Sequence, residues 1–248
     1  MITHEIIGDD MQAVVLNLGA GDVVRAEAGA LMFMTEAVEM DAKMEGGLLG
    51  GLKRKVLAGE SLFITYFRGA GAGARLAFAG PYPGKIIHMP LAGQQMLCQR
   101  DAFLCATGNI DLSIAFTRRL GAGFFGGEGF ILQKMEGTGD LFIHSGGTIV
   151  PVELHVGERL RVDTGCLVAL EPTVDYDIAR VGGIKTSLFG GEGLFFASLT
   201  GPGRIWLQTL PFSRLAERIH QAFRSDRDDV KRDFGGAFGK IGDLIGGE

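Results

Sequence analysis

Apolar positions in this chain fall in short runs or in strict alternation, and both patterns predict strands. Met11 to Leu18 is a nearly continuous apolar run. Val38, Met40, Ala42 and Met44 alternate with Glu39, Asp41, Lys43 and Glu45, which predicts one buried face and one acidic face in water. Further strands are predicted at 23–28, 30–34, 61–67, 76–78, 85–91, 95–100, 102–106, 111–116, 149–156, 159–162, 166–170, 174–178, 193–199 and 205–210. Gly29 reads as a hinge between two of them, and Gly80 to Gly84 as a sharp break. The period becomes helical only after Pro211. There Phe212, Leu215, Ala216, Ile219, Ala222 and Phe223 share one stripe, with Ser213 placed to cap its start. The tail beyond, with Phe234, Phe238, Ile241, Leu244 and Ile245 among glycines, reads as a frayed end or a short amphipathic anchor.

The same glycine-framed apolar turn occurs three times. It reads Gly47-Leu48-Leu49-Gly50-Gly51, Gly123-Phe124-Phe125-Gly126-Gly127 and Ser187-Leu188-Phe189-Gly190-Gly191. The second and third copies continue without a gap into strand, turn and strand, over Phe130 to His144 and Leu194 to Gln208, at an offset of 190 − 126 = 64. Repetition on this scale predicts the architecture. The expected fold is all-β: three tandem repeats of a small antiparallel unit, sandwich-like or resembling a double-stranded β-helix, with pseudo-threefold symmetry and one C-terminal amphipathic helix. The repeats are placed at 11–83, 84–146 and 147–211 within one body, 1–211, followed by the helix and tail, 212–248.

Composition narrows the chemistry. Of 248 residues, 46% are hydrophobic, enough for a core, and the 40 glycines lack collagen periodicity and so mark turns and bulges. The net charge is 24 − 29 = −5, so no nucleic-acid partner is expected. Cys98, Cys105 and Cys166 sit in apolar runs and read as buried, reduced thiols. The chain starts without a signal-peptide pattern, and no apolar run reaches the roughly 18 residues of a membrane span, so a cytoplasmic location is expected.

No catalytic, cofactor-binding or metal-binding residues are expected. His4, His88, His144, His155 and His220 are scattered, so a metal site would have to be assembled by tertiary folding. Ser145, Ser187 and Ser198 lack a nucleophile-elbow context. Glu128 and Glu192 recur in equivalent turns and read as acceptors for backbone N–H groups, and Leu52 breaks that pattern in the first copy. Lys53-Arg54-Lys55 reads as a solvated strand end or an anion contact. The turn tips Leu48, Leu49, Phe124, Phe125, Leu188 and Phe189 are the candidate interaction surface. They either plug the core between lobes or form an apolar patch for self-association, a protein partner or a membrane surface.

The segments Gly123 to Phe130 and Ser187 to Phe196, with Lys185 and the Thr164-Gly165 step, resemble the altered-inheritance-of-mitochondria family of mitochondrial-biogenesis proteins. The resemblance covers nearly the whole chain to about Pro211. It implies a fold similar to the subunit of the tryptophan RNA-binding attenuation protein, used in tandem, and a role in supporting membrane-associated assemblies. It implies no catalytic residues. The expectation is a non-enzymatic scaffold or binding protein that forms a homo-oligomer, with a protein partner or a peripheral membrane contact. The alternatives are a small ligand, lipid or glycan bound between lobes and, by fold analogy alone, RNA.

Overall fold

Runs rich in Val, Ile, Leu and Phe, punctuated by glycine turns, form strands, and continuous runs such as Phe103–Thr107 and Leu167–Leu170 are buried throughout. A computed structural model of the chain describes residues 2–27, 29–44, 63–118, 130–180, 195–220 and 222. The strands among them are β1 (Thr3–Ile7), β2 (Ala13–Leu18), β3 (Val23–Glu27), β4 (Leu31–Met34), β5 (Val38–Met44), β6 (Phe63–Gly69), β7 (Ala74–Ala79), β8 (Gly84–Gln99) and β9 (Phe103–Thr107). They continue with β10 (Asn109–Arg118), β11 (Phe130–Gly146), β12 (Ile149–Leu154), β13 (Arg159–Asp163), β14 (Leu167–Leu170), β15 (Asp175–Arg180), β16 (Phe195–Thr200) and β17 (Gly203–Gln208). Met1–Pro211 is one unit and Phe212–Glu248 another. The described residues are mostly β-strand, with short 3-10 turns and, in the second unit, a helix over residues 212–220.

The strands form three sheets. One has the order β1-β2-β7-β4. A long sheet runs β12-β17-β14-β8-β11-β9-β3-β6-β5, with β10 also paired to β11. The third is β13-β16-β15. All named ladders are antiparallel.

Among the described residues, three apolar clusters draw on overlapping stretches of the chain. Val14, Leu16, Phe67, Leu76, Phe78 and Phe142 belong to the first. Met96, Cys98, Leu112, Met135 and Leu141 belong to the second, and Leu132, Leu167, Ile178, Leu199 and Ile205 to the third. Each fully buried side chain of this size contributes about 1.5–3 kcal/mol.

Several features depart from the sequence pattern. Strand β1 was not anticipated; its residues Thr3, His4 and Glu5 are exposed, so it has no apolar signature. Residues 130–146 form one long strand rather than strand, turn and strand. Gly137 and Gly139, which read as a turn, lie inside it at φ 139° and 154°. A Cβ at either would clash with the carbonyl of Asn109 or Thr107 as β10 and its approach pass alongside. Met40, expected on the buried face of β5, is exposed. Cys98 and Cys105 are buried, but Cys166 is only half-buried. The helix begins at Phe212, so Ser213 lies in its first turn rather than capping it.

Candidate functional site

The candidate tips Leu48, Leu49, Phe124, Phe125, Leu188 and Phe189 lie outside the described residues, as do Lys53, Arg54, Lys55, Glu128 and Glu192. Residues 45–62 link β5 to β6, 119–129 link β10 to β11, and 181–194 link β15 to β16, and each of these is a hydrogen-bonded strand pair.

The described residues place unusual exposure elsewhere, on two strand edges. Strand β9 lies between β11 and β3, and β14 between β17 and β8. Both are buried throughout. Strand β4 pairs only with β7 among the described residues, and Met32, Phe33 and Met34 on it are 60%, 37% and 39% exposed. Strand β13 pairs only with β16 among the described residues; Arg159 and Arg161 are exposed and Leu160 is half-buried. An unpaired edge offers free backbone donors and acceptors to another strand. Edges are usually guarded by charge or proline, and Leu31-Met32-Phe33-Met34 has neither.

The covered edges show what such a strand gains from a neighbour. Where β3 meets β9, Arg25 reaches across the join. Its guanidinium donates to the Ile110 carbonyl and lies 3.9 Å from the Asp111 carboxylate. Its Cζ sits 5.8 Å from the Tyr66 ring centre.

A second cluster forms where β1, β8 and β11 meet. His4, His88 and Asp140 each bring a ligating atom within 4.8 Å of the others, an arrangement the scattered histidines did not suggest. The His88 and His4 rings lie 4.2 Å apart, and both lie against Phe142 at 5.0 Å. The donor set suits a borderline divalent cation. However, His88 Nε2 lies 2.7 Å from Asp140 Oδ1, a hydrogen-bond separation; ligands at 2.0–2.1 Å around tetrahedral zinc stand roughly 3.3 Å apart. Thr107 Oγ1 donates to the other carboxylate oxygen at 3.3 Å. The hydroxyl therefore braces the carboxylate and is not aligned on the imidazole as a nucleophile would be.

His144 on β11 is buried over Gly80 and Gly84, with Tyr82 edge-on at 4.8 Å. Burial lowers its pKa below the ordinary 6.5, against a smaller raising effect of its hydrogen bond to the Tyr82 backbone. Tyr82 is pushed up to about 12, first by burial and then by Asp101 and Glu27. Burial also raises the Cys98 thiol to about 12 and Cys105 well above its usual range, so neither is a thiolate nucleophile near neutral pH. Among the described residues, no helix is long and apolar enough to cross a membrane.

Comparison with known proteins agrees with this architecture. The chain is 31% identical over 210 residues to an uncharacterised protein of Streptococcus pyogenes serotype M6, covering 82% of this chain and 83% of that protein. It superposes on the crystal structure of a Streptococcus pyogenes protein with a TM-score of 0.74 and 28% identity, over 90% of this chain and all of the other. Residues 4–210 match the family described as Mitochondrial biogenesis AIM24, and the chain belongs to that family.

Proposed function

We propose that this protein is a non-enzymatic scaffold that associates with copies of itself, built from three like β units joined strand edge to strand edge. The units are β2 to β7, β8 to β11, and β12 to β17. In the first, β2 and β4 pair with β7, while β3 and β5 pair with β6. In the third, β12 and β14 pair with β17, while β13 and β15 pair with β16. The middle unit has the same ladders on two long strands. There β8 and β9 pair with the C-terminal half of β11, and β8 and β10 with its N-terminal half. The register shift recurs at one place, between Leu31 and Phe33, between Phe142 and Ile143, and between Leu167 and Ala169.

The observation that carries self-association is the pair of unpaired edges at the ends of this series. Two joins between units occur within the chain, β3 with β9 and β8 with β14. Strands β1, β5, β12 and β15 also lie at sheet edges, but among the described residues β4 and β13 are the strands that match those of the two joins and have no such neighbour, and β4 exposes apolar side chains that its counterparts β9 and β14 bury. Apolar area held in water on an edge strand favours association. Support of membrane-associated assemblies, the role implied by the family resemblance, suits a protein whose chemistry lies in its contacts.

Light scattering across a dilution series tests this. The expected result is a mass that is a multiple of the 26.4 kDa chain and falls on dilution. A mass of one chain at every concentration contradicts it.

A further inference from the structure

Resting on that self-association, we infer that β13 of one copy pairs with β4 of a second copy in a defined register, with Arg161 of the first bonded to the β5 end of the second. Both internal joins have the same register. In the first, Ala26 faces Cys105 and Arg25 faces Ala106. In the second, Cys98 faces Ala169 and Leu97 faces Leu170. One strand of the pair therefore advances by 98 − 26 = 72 residues and the other by 169 − 105 = 64. Carrying the first strand forward by 64 takes Cys98 to Val162 and Leu97 to Arg161, both on β13. Carrying the second back by 72 takes Cys105 to Phe33 and Ala106 to Met34, both on β4. The copy-to-copy ladder then sets Val162 opposite Phe33 and Arg161 opposite Met34.

The side chains agree with this extrapolation. Arg25 in the first join meets the Ile110 carbonyl and the Asp111 carboxylate of the next unit. Back by 72, these positions are Val38 and Glu39. So β13 carries an arginine where β3 does, and β5 carries a carboxylate where β10 does. In the second join the corresponding places are Leu97, Val174 and Asp175: Leu97 and Val174 share one apolar cluster, while the Asp175 carboxylate is exposed and has leucine in the arginine's place, so that join is held by apolar contact and not by an ion pair. Arg161 and Glu39 are both exposed and make no ion pair among the described residues. Met40 fits the same account, being 54% exposed where its counterpart Leu112 is 4% exposed.

An interface between two different edges is heterologous, and every copy keeps one edge of each kind. Association therefore continues from copy to copy until a ring closes or the series stays open. It differs from a two-fold dimer, in which the same edge meets itself.

Charge exchange tests both the pairing and its polarity. Arg161→Glu and Glu39→Arg are each expected to raise the dissociation constant about two- to fivefold, since each sets like charges where the internal join sets opposite ones, and the Asp111 carboxylate of that join is largely in water. The double variant, Arg161→Glu with Glu39→Arg, is expected to recover association. An equimolar mixture of the two single variants is also expected to recover it, because each offers the edge the other lacks. Circular dichroism and melting of each variant show that the fold is kept. Wild-type association in either single variant, or no recovery in both the double variant and the mixture, overturns this interface while leaving self-association standing. A wild-type protein that stays monomeric overturns the self-association reading itself.

Discussion

His144 illustrates how one residue sets a pH response. Its imidazole is buried on β11 between Tyr82 and two glycines that leave room for the ring. Burial disfavours the charged form, so the folded pKa lies below the 6.5 of the unfolded chain. The stability this represents is fully present above pH 6.5. It is lost as pH falls below 6.5, because the unfolded chain takes up the proton first. The slope contributed by one such group reaches at most about 1.4 kcal/mol per pH unit. Urea unfolding between pH 7.5 and pH 5 is expected to show this loss, and His144→Leu to remove its share of the slope. An unchanged slope in the variant contradicts the assignment to His144. The histidine was visible in the sequence, but its neighbours were not. Tyr82 is 62 residues away in the chain and meets it only because Gly84 pairs with Gly146, two residues beyond His144.

Strands show what periodicity can and cannot tell. Continuous runs such as Ala13 to Leu18 were legible because both of their faces are covered. The polar edge strand β1 was not, since exposure leaves no apolar pattern to read. The alternation of β5 predicts one wholly buried face; Val38 conforms and Met40 does not. Alternation reports which side chains suit a core, not whether the chain itself supplies the cover. The proposed three-unit arrangement sets Met40 and Leu112 at matching places, and this gives a contrast. Leu112→Asp is expected to cost about 3 kcal/mol or more of folding stability, by burying an unpaired charge. Met40→Asp is expected to change folding stability by no more than about 0.5 kcal/mol, as at an ordinary surface site, yet to weaken association. Denaturant melts beside light scattering separate the two effects. Equal destabilisation by both substitutions contradicts the account.

At the scale of the molecule, the three glycine-framed turns drew attention to their tips. The tips Leu48, Leu49, Phe124, Phe125, Leu188 and Phe189 lie outside the described residues, and the surface the structure brings forward is made of strand edges instead. Those edges were not legible, because the significance of Arg161 and Glu39 depends on pairings between strands far apart in sequence. Only once Arg25 is seen to cross the β3 to β9 join does an arginine at the matching place on β13 gain meaning.

The most direct measurement is a crosslink at the inferred register. Cysteine already occurs on either side of this pair in the internal joins, as Cys105 opposite Ala26 and Cys98 opposite Ala169, so the positions tolerate it. A double variant, Phe33→Cys with Val162→Cys, assembled under reducing conditions and then oxidised, is expected to give a ladder of linked chains on a non-reducing gel. Either single variant alone is expected to remain unlinked. If the double variant gives only single chains, or if Phe33→Cys alone links two copies, β4 and β13 do not meet in the way described here.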